Sequence, residues 1–200
     1  AGGAAWTYHP SKKHAVTQAG SSNFTYSYDA NGNASTRFGQ NITWSSYNYP
    51  TVINGPGKSL TFYYDPNRAR YKQVYASTSG TETTHYVGGL LEKVVTGAGT
   101  DWRHYVKVGS QTVAILSRLS SGTNTTRYML EDQQGSPANI LTDSGASFVQ
   151  ESFTAFGARR DPATWSDSCQ CDDLAKIKGV SRMGYTGHEA IGGVSMGLNH

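Results

Sequence analysis

His188-Glu189, within "GYTGHE" at 184–189, is the pair in this chain best suited to chemistry: an imidazole that could bind a metal beside a carboxylate that could act as a base. A zinc-binding helix of that type needs a second histidine four residues after the first, so that both rings leave one face. Position 192 is Gly192, and Gly184, Gly187 and Gly193 break any helix around it. His188 is therefore expected to be a hydrogen-bonded residue in a tight β connection. Ser136, in Gly135-Ser136-Pro137, has no nucleophile-elbow pattern around it. Cys169 and Cys171 are the only cysteines. A Cys-x-Cys pair is too tight for an ordinary disulfide, and two ligands do not make a zinc site. They read as reduced thiols in a polar loop, which argues against a disulfide-stapled extracellular scaffold. Asp29 and Asp65 each follow a tyrosine and precede turn formers, so both are expected to be turn residues rather than catalytic carboxylates. The expectation is a chain with no catalytic residues, no metal and no cofactor.

The remaining composition narrows the function classes. The net charge is +3, and the 17 basic residues are scattered, with only Lys12-Lys13 and Arg159-Arg160 adjacent. Nucleic-acid proteins concentrate such charge on one stripe, so no nucleic-acid partner is expected. The apolar stretches are strand-sized, so no membrane span is expected. No signal peptide is visible at the N-terminus. Asn-x-Ser/Thr triplets, as at Asn41 and Asn124, are expected by chance in a chain rich in Ser and Thr.

The elements that must position these residues are strands. Tyr28, Tyr47, Tyr64, Tyr86, Tyr105 and Tyr128 recur at intervals of 19, 17, 22, 19 and 23 residues. A period of this size means that one supersecondary unit is reused and that its copies stack to bury a shared face. Phe24, Tyr26 and Tyr28 alternate with Thr25 and Ser27, as Leu60, Phe62 and Tyr64 do with Thr61 and Tyr63. Period two puts the large side chains on one strand face. Asp29-Ala30-Asn31-Gly32 and Asp65-Pro66-Asn67 then supply turn chemistry. Further turns are expected at Asn54-Gly55, Gly88-Gly89, Gly97 to Gly99, Gly109, Ser121-Gly122, Gly135 and Ser144-Gly145. This spacing fits hairpins in a long antiparallel meander, an all-β fold.

Four zones follow. Residues 1–22 are polar and irregular, with a first short strand at Trp6 to Tyr8. Residues 23–160 hold the repeats. Residues 161–182 form a polar insertion whose only helix is predicted near Asp172 to Lys178. Residues 183–200 turn aromatic and glycine-rich again. Trp6, Trp44, Trp102 and Trp165 do not cluster, and three of them sit in or beside strand signals, where burial between layers is the simpler fate. Exposed on a broad sheet, such rings could instead stack on sugars. The rival reading is accordingly a carbohydrate-binding β-repeat module at the cell surface.

A series of stretches occurs in one order: "HAVTQAG", "YSYDANGN", "ITWSSYNYP", "FYYDPNRARYKQV", "HYVGGLLEKV", "RHYV", "LEDQQGSPANILTD", "ESFTAFGARR" and "GYTGHE". In that order the chain resembles the core region of bacterial Rhs proteins, of the YD-repeat family, from about residue 6 onward. The resemblance implies structural repeat positions at Tyr28, Asp29, Gly32, Trp44, Tyr47, Tyr64, Asp65, Arg70, Tyr86, Gly88, Gly135, Tyr185, Gly187, His188 and Glu189. It implies a β-sheet ribbon spiralling into a hollow shell (a cocoon) that encloses a toxic C-terminal domain of the same polypeptide. Insecticidal toxin complexes and eukaryotic teneurins share that ribbon. The implied partners are adjacent repeats, the toxin domain and a delivery machinery, and the implied setting is bacterial export in competition between cells.

Two departures stand out. Family members continue past "GLNH" into a closing segment with self-cleavage aspartates, which this sequence lacks. They also more often carry an Asp-His pair where this chain has Gln133 and Gln134. The expectation is shell wall, too short to close a cocoon.

Overall fold

The computed structural model describes residues 6–19, 24–155, 157–167 and 174–189. Cys169, Cys171, Gly192 and Gly193 lie outside the described residues, as does the first part of the predicted helix. Among the described residues the chain is antiparallel β-sheet with one short α-helix and one 3-10 turn. A three-stranded sheet holds β1 (Thr7–Tyr8), β2 (Val16–Ala19) and β3 (Phe24–Thr25). The second sheet has 13 strands in the order of the chain and is not closed. It comprises β4 (Ser27–Tyr28), β5 (Ala34–Arg37), β6 (Gln40–Trp44), β7 (Pro50–Gly55), β8 (Lys58–Tyr64), β9 (Arg70–Ser77), β10 (Gly80–Val87), β11 (Leu91–Thr96), β12 (Gly99–Val108), β13 (Gln111–Leu119), β14 (Asn124–Glu131), β15 (Pro137–Leu141) and β16 (Ser147–Gln150). The chain divides into two compact units, Ala1–Thr84 and His85–His200. None of the described helices is long and apolar enough to cross a membrane.

In the first unit the predicted alternation is realised in β8, whereas the run expected from Phe24 to Tyr28 breaks at Tyr26, with β3 in one sheet and β4 in the other. Along β8, Leu60 and Phe62 are buried while Tyr63 is exposed. Register carries this inside-outside pattern across strands: Ile42 pairs with Ile53, and Ile53 with Leu60. A row of β-branched and aliphatic side chains on one pleated face is what such residues favour. Phe62 pairs with Gln73, which is also buried, and the Arg70 guanidinium lies 5.5 Å from the centre of the Phe62 ring.

The second unit builds a core on one sheet face from Ile115, Met129, Ile140 and Val149, covered by Ile177 and Val180 of α1 (Leu174–Val180). The predicted helix stopped at Lys178. The observed one continues through Gly179 because Ile177 and Val180, three residues apart, share the face turned to the sheet. Their burial outweighs the weak helix preference of a single glycine.

Two further expectations are corrected. The turn expected at Asn54-Gly55 falls two residues later, at Pro56-Gly57, since Asn54 and Gly55 lie in β7 and Gly55 pairs with Lys58. Pro56 presets φ for the first turn position and Gly57, at φ +68°, takes the second. Trp6 stands beside a strand signal but is exposed, because β1 is two residues long and lies at the edge of its sheet; Trp165 is exposed too.

Phe62→Ala should destabilise the chain by about 3–5 kcal/mol, as for other buried aromatic truncations. Denaturant unfolding checks this, and an unchanged midpoint would show that the ring is not part of a core.

Candidate functional site

One turn recurs eight times among the described residues. The N–H of its first residue donates to the carbonyl four residues on, and the N–H of its fourth residue donates back to the first carbonyl. The first residues are Asp29, Ser45, Asp65, Leu119, Asp132, Thr142, Thr154 and Gly184. The fourth residue always has positive φ, between +63° at Asn48 and +93° at Gly122. This is a three-residue hairpin loop, a type I turn followed by a left-handed residue that makes a bulge. Register shifts at Ser27/Tyr28, Thr43/Trp44 and Tyr63/Tyr64 mark the bulges in the first unit. In six of the eight, the first side chain also accepts the fifth residue's N–H: Asp29 from Asn33 at 2.9 Å, Ser45 from Tyr49 at 3.1 Å, Asp65 from Ala69 at 2.9 Å, Asp132 from Ser136 at 2.9 Å, Thr142 from Ala146 at 3.2 Å and Thr154 from Ala158 at 3.1 Å. Only a short side chain with an acceptor oxygen fits this role, which explains Asp after Tyr.

The residue before the turn does the second job. The Tyr28 hydroxyl donates to the Val16 carbonyl at 2.9 Å, the Trp44 indole N–H to Ala34 at 2.8 Å, and the Tyr64 hydroxyl to Pro50 at 2.8 Å. Ala34 and Pro50 are each the first residue after the preceding turn of this kind, and Val16 follows the loop closed by His9 and Ala15. Each aromatic residue thus anchors its own turn to the one before. Trp44 therefore stands where Tyr28 and Tyr64 stand. Tyr47 does not: it lies in the turn rather than in a strand, its ring 5.3 Å from Tyr49 and 6.2 Å from Tyr64, with Arg68 stacked on it at 5.3 Å. Asn48 ties neighbouring turns together, its side-chain oxygen accepting from the Asn31 and Asn33 amides at 3.1 and 2.8 Å.

Asp29, Asn31 and Asn33 alternate as in calcium loops, but the Asp29 oxygens already accept from the Asn31 and Asn33 N–H groups and the Asn33 amide. Those bonds hold the Asp29 carboxyl below its ordinary value, the Asn33 amide contributing most. The group is consumed by the turn. Burial pushes the Tyr64 phenol up to about 12, so it remains a protonated donor.

The second unit brings the remaining predicted positions together. Gly184 to His188 form the last recurring turn, seated against two others. The Thr186 N–H donates to the Ser136 hydroxyl at 2.9 Å, and the Tyr185 hydroxyl donates to the Ala155 carbonyl at 3.0 Å. A Cβ on Gly187 would lie 3.2 Å from the Gly135 carbonyl oxygen, and one on Gly157 would lie 2.9 Å from the Tyr185 ring. Glu189 closes the seat: it accepts from the Tyr86 hydroxyl at 2.8 Å and lies 3.6 Å from the Arg182 guanidinium. Gly88, at φ +58°, belongs to the β10–β11 turn. His188 is exposed, its backbone engaged with Gly184 and Tyr185. Ser136 is fully buried. Among the described residues no three His, Cys, Asp or Glu side chains come together in a way that could hold a metal. What this arrangement does chemically is to lock backbone to backbone.

Sequence reasoning missed the left-handed Asn48 and Arg68, since neither is glycine. Aligning Asp65 with Asp29 would have placed Arg68 opposite Gly32.

No protein-family model and no curated sequence matches the chain. Solved structures do. The chain is similar to a component of the Photorhabdus luminescens Tc holotoxin pore, bearing the TccC3 mutation D651A, at TM-score 0.66 and 16% identity, over 94% of this chain and 11% of that one. It is similar to the TcdB2–TccC3 crystal structure at TM-score 0.64 and 16% identity, with the same coverage. The form of that complex without its hypervariable C-terminal region matches at TM-score 0.59 and 15% identity. At this identity the likeness is one of fold. The chain spans about a tenth of those chains.

Tyr64→Phe should cost about 0.5–1.5 kcal/mol at neutral pH through the lost bond to Pro50. The raised phenol contributes stability that is present below its ordinary value of 10.0 and lost as pH rises through about 12. The variant should accordingly lose less stability over that window than the native chain, as read by melting temperature against pH.

Gly145→Ala and Gly157→Ala start from nearly equal φ, +83° and +80°. Both should lose about 1–2 kcal/mol from the left-handed backbone. Gly157→Ala should lose about 1–3 kcal/mol more, because its Cβ meets the Tyr185 ring while Gly145 faces open space. Equal melting temperatures of the two variants would refute the seat.

Proposed function

We propose that the chain is a wall segment of an Rhs-type β-sheet shell that encloses and delivers a toxin domain carried by the same polypeptide. The observation that carries this reading is the long meander whose strands follow the order of the chain, matched over 94% of its length by the Tc toxin structures. The ordered YD-type stretches support it from the sequence side, and the anchored turns give it a physical basis. In this reading residues 23–160 are wall, 161–182 are an insertion, and 183–200 begin the closing segment. The chain serves as wall rather than as an enzyme: the polar side chains of Asp29, Tyr64, Asp65, Tyr86 and Glu189 are engaged in turns and seats. Its partners are adjacent repeats and the enclosed domain. The polypeptide is exported by bacteria and acts in competition between cells.

Limited proteolysis of the parent polypeptide, with the coding sequence that flanks this chain, tests the reading. The downstream domain should resist trypsin within the parent and be digested when expressed alone. Equal digestion in both forms would overturn enclosure.

A further inference from the structure

We propose that Tyr63 and Tyr71 form an oxidative cross-linking site, at which a haem peroxidase using hydrogen peroxide joins their two rings by a carbon–carbon bond. The site is independent of the shell reading.

Regular alternation along β9 would put Tyr71 on the face of Gln73, which is buried. The register prevents this. Tyr63 pairs with Lys72 and Tyr64 with Arg70, so Tyr71 is the extra residue of the bulge. A bulge re-aims the side chain it carries. Tyr71 is 45% exposed and Tyr63 38%, and their ring centres lie 6.3 Å apart with the planes at 54°. The same two positions meet at the other bulges of the first unit, where the extra residues are Ser35 and Thr51. The Ser27 and Ser35 hydroxyls are hydrogen-bonded at 2.7 Å, and the Thr51 hydroxyl donates to the Thr43 carbonyl at 3.1 Å. The bulge supplies the juxtaposition, and the residue types decide its chemistry. Two serines share a hydrogen bond; two phenols can couple.

Each phenol gives one electron to the haem oxidant and its hydroxyl proton to water. The two phenoxyl radicals then combine between ring carbons adjacent to the oxygen-bearing ones. The hydrogens on those two carbons leave as protons while the two oxygens regain protons, so both phenols are restored. Hydrogen peroxide takes up the two electrons and two protons and departs as two waters. The Lys72 ammonium lies 4.3 Å from the Tyr63 ring centre and opposes a cationic ring, so at Tyr63 the proton leaves with the electron. Rotamer motion of exposed side chains is fast enough to bring the ring edges together within the lifetime of a radical pair. The other tyrosine cluster is less suited. Tyr47, Tyr49 and Tyr64 lie 5.3 to 6.2 Å apart, but Tyr49 alone of the three is exposed. The Tyr64 hydroxyl is bonded to Pro50, and burial pushes its phenol up to about 12, so it parts with its proton reluctantly.

The test is to treat the dilute native chain with a haem peroxidase and hydrogen peroxide, isolate the monomer, digest it with trypsin and identify cross-linked peptides by mass spectrometry. Peptide 59–68 should appear joined to the dipeptide Tyr71-Lys72, lighter by two hydrogens, with fragmentation placing the bond at Tyr63 rather than Tyr64. The monomer should gain dityrosine fluorescence, and Tyr71→Phe, which keeps the ring but removes the phenol, should abolish the joined peptide and most of that fluorescence. Should that variant fail to fold, Tyr63→Phe supplies the same comparison. Oxidation in denaturant should also suppress the joined peptide, because the bulge no longer holds the rings together. The proposal fails if the monomer gains no dityrosine, if the main product joins Tyr47 to Tyr49 or two separate chains, or if the folded variant gains as much as the native chain.

Discussion

Each bulged turn in the first unit hangs on a side-chain donor that reaches back to the carbonyl just beyond the previous turn. A hairpin alone is marginal in water, because two strands bury too little to offset the order they impose. The bonds from Tyr28, Trp44 and Tyr64 convert a row of hairpins into a connected edge. The bulge itself fixes register, and register decides which face is buried, since a slip by one residue would exchange the two faces. With register set, Ile42, Ile53 and Leu60 fall into one row. The core is thus a consequence of the turns as much as of the apolar side chains.

The second unit solves the same problem by covering. Here α1 and the turn after it lie over the face bearing Ile115, Met129 and Ile140. The cover is held by polar contacts at its margins, through Ser136, Ala155 and Tyr86. Buried ion pairs accompany it: Arg103 with Asp101 at 2.8 Å and Arg159 with Glu151 at 3.0 Å. Such pairs rarely add stability over apolar packing, but breaking one leaves an unpaired buried charge. They penalise alternative packings of this face.

Much of this was legible in the sequence because it is local. Alternation in Leu60, Phe62 and Tyr64 specifies a strand face, and Asp followed by Asn and Gly specifies a turn. What failed was equivalence between copies. A count of tyrosines aligns Tyr47 with Tyr28 and Tyr64, whereas the equivalent position is Trp44, a different residue supplying the same N–H or O–H donor on a rigid ring. The role is defined by a bond to a carbonyl 10 to 14 residues earlier, and no residue type announces that. The seat of Gly187 on Gly135 and the bond between Tyr86 and Glu189 were illegible for a stronger reason. Their partners are far apart in sequence, and nothing in either stretch names the other.

That last bond joins residues 103 positions apart. The strand ladders of the second unit run between neighbouring strands with short loops, so they can zip up progressively as the chain emerges from the ribosome. Closing a long loop is entropically slower than closing a short one, and distant contacts form late. Glu189 reaches Tyr86 only after the intervening strands exist to set the distance. The bond therefore acts as a checkpoint in assembly order: it forms only after the intervening strands and α1 have been made, and a chain halted before α1 would present an uncovered face to chaperones and proteases.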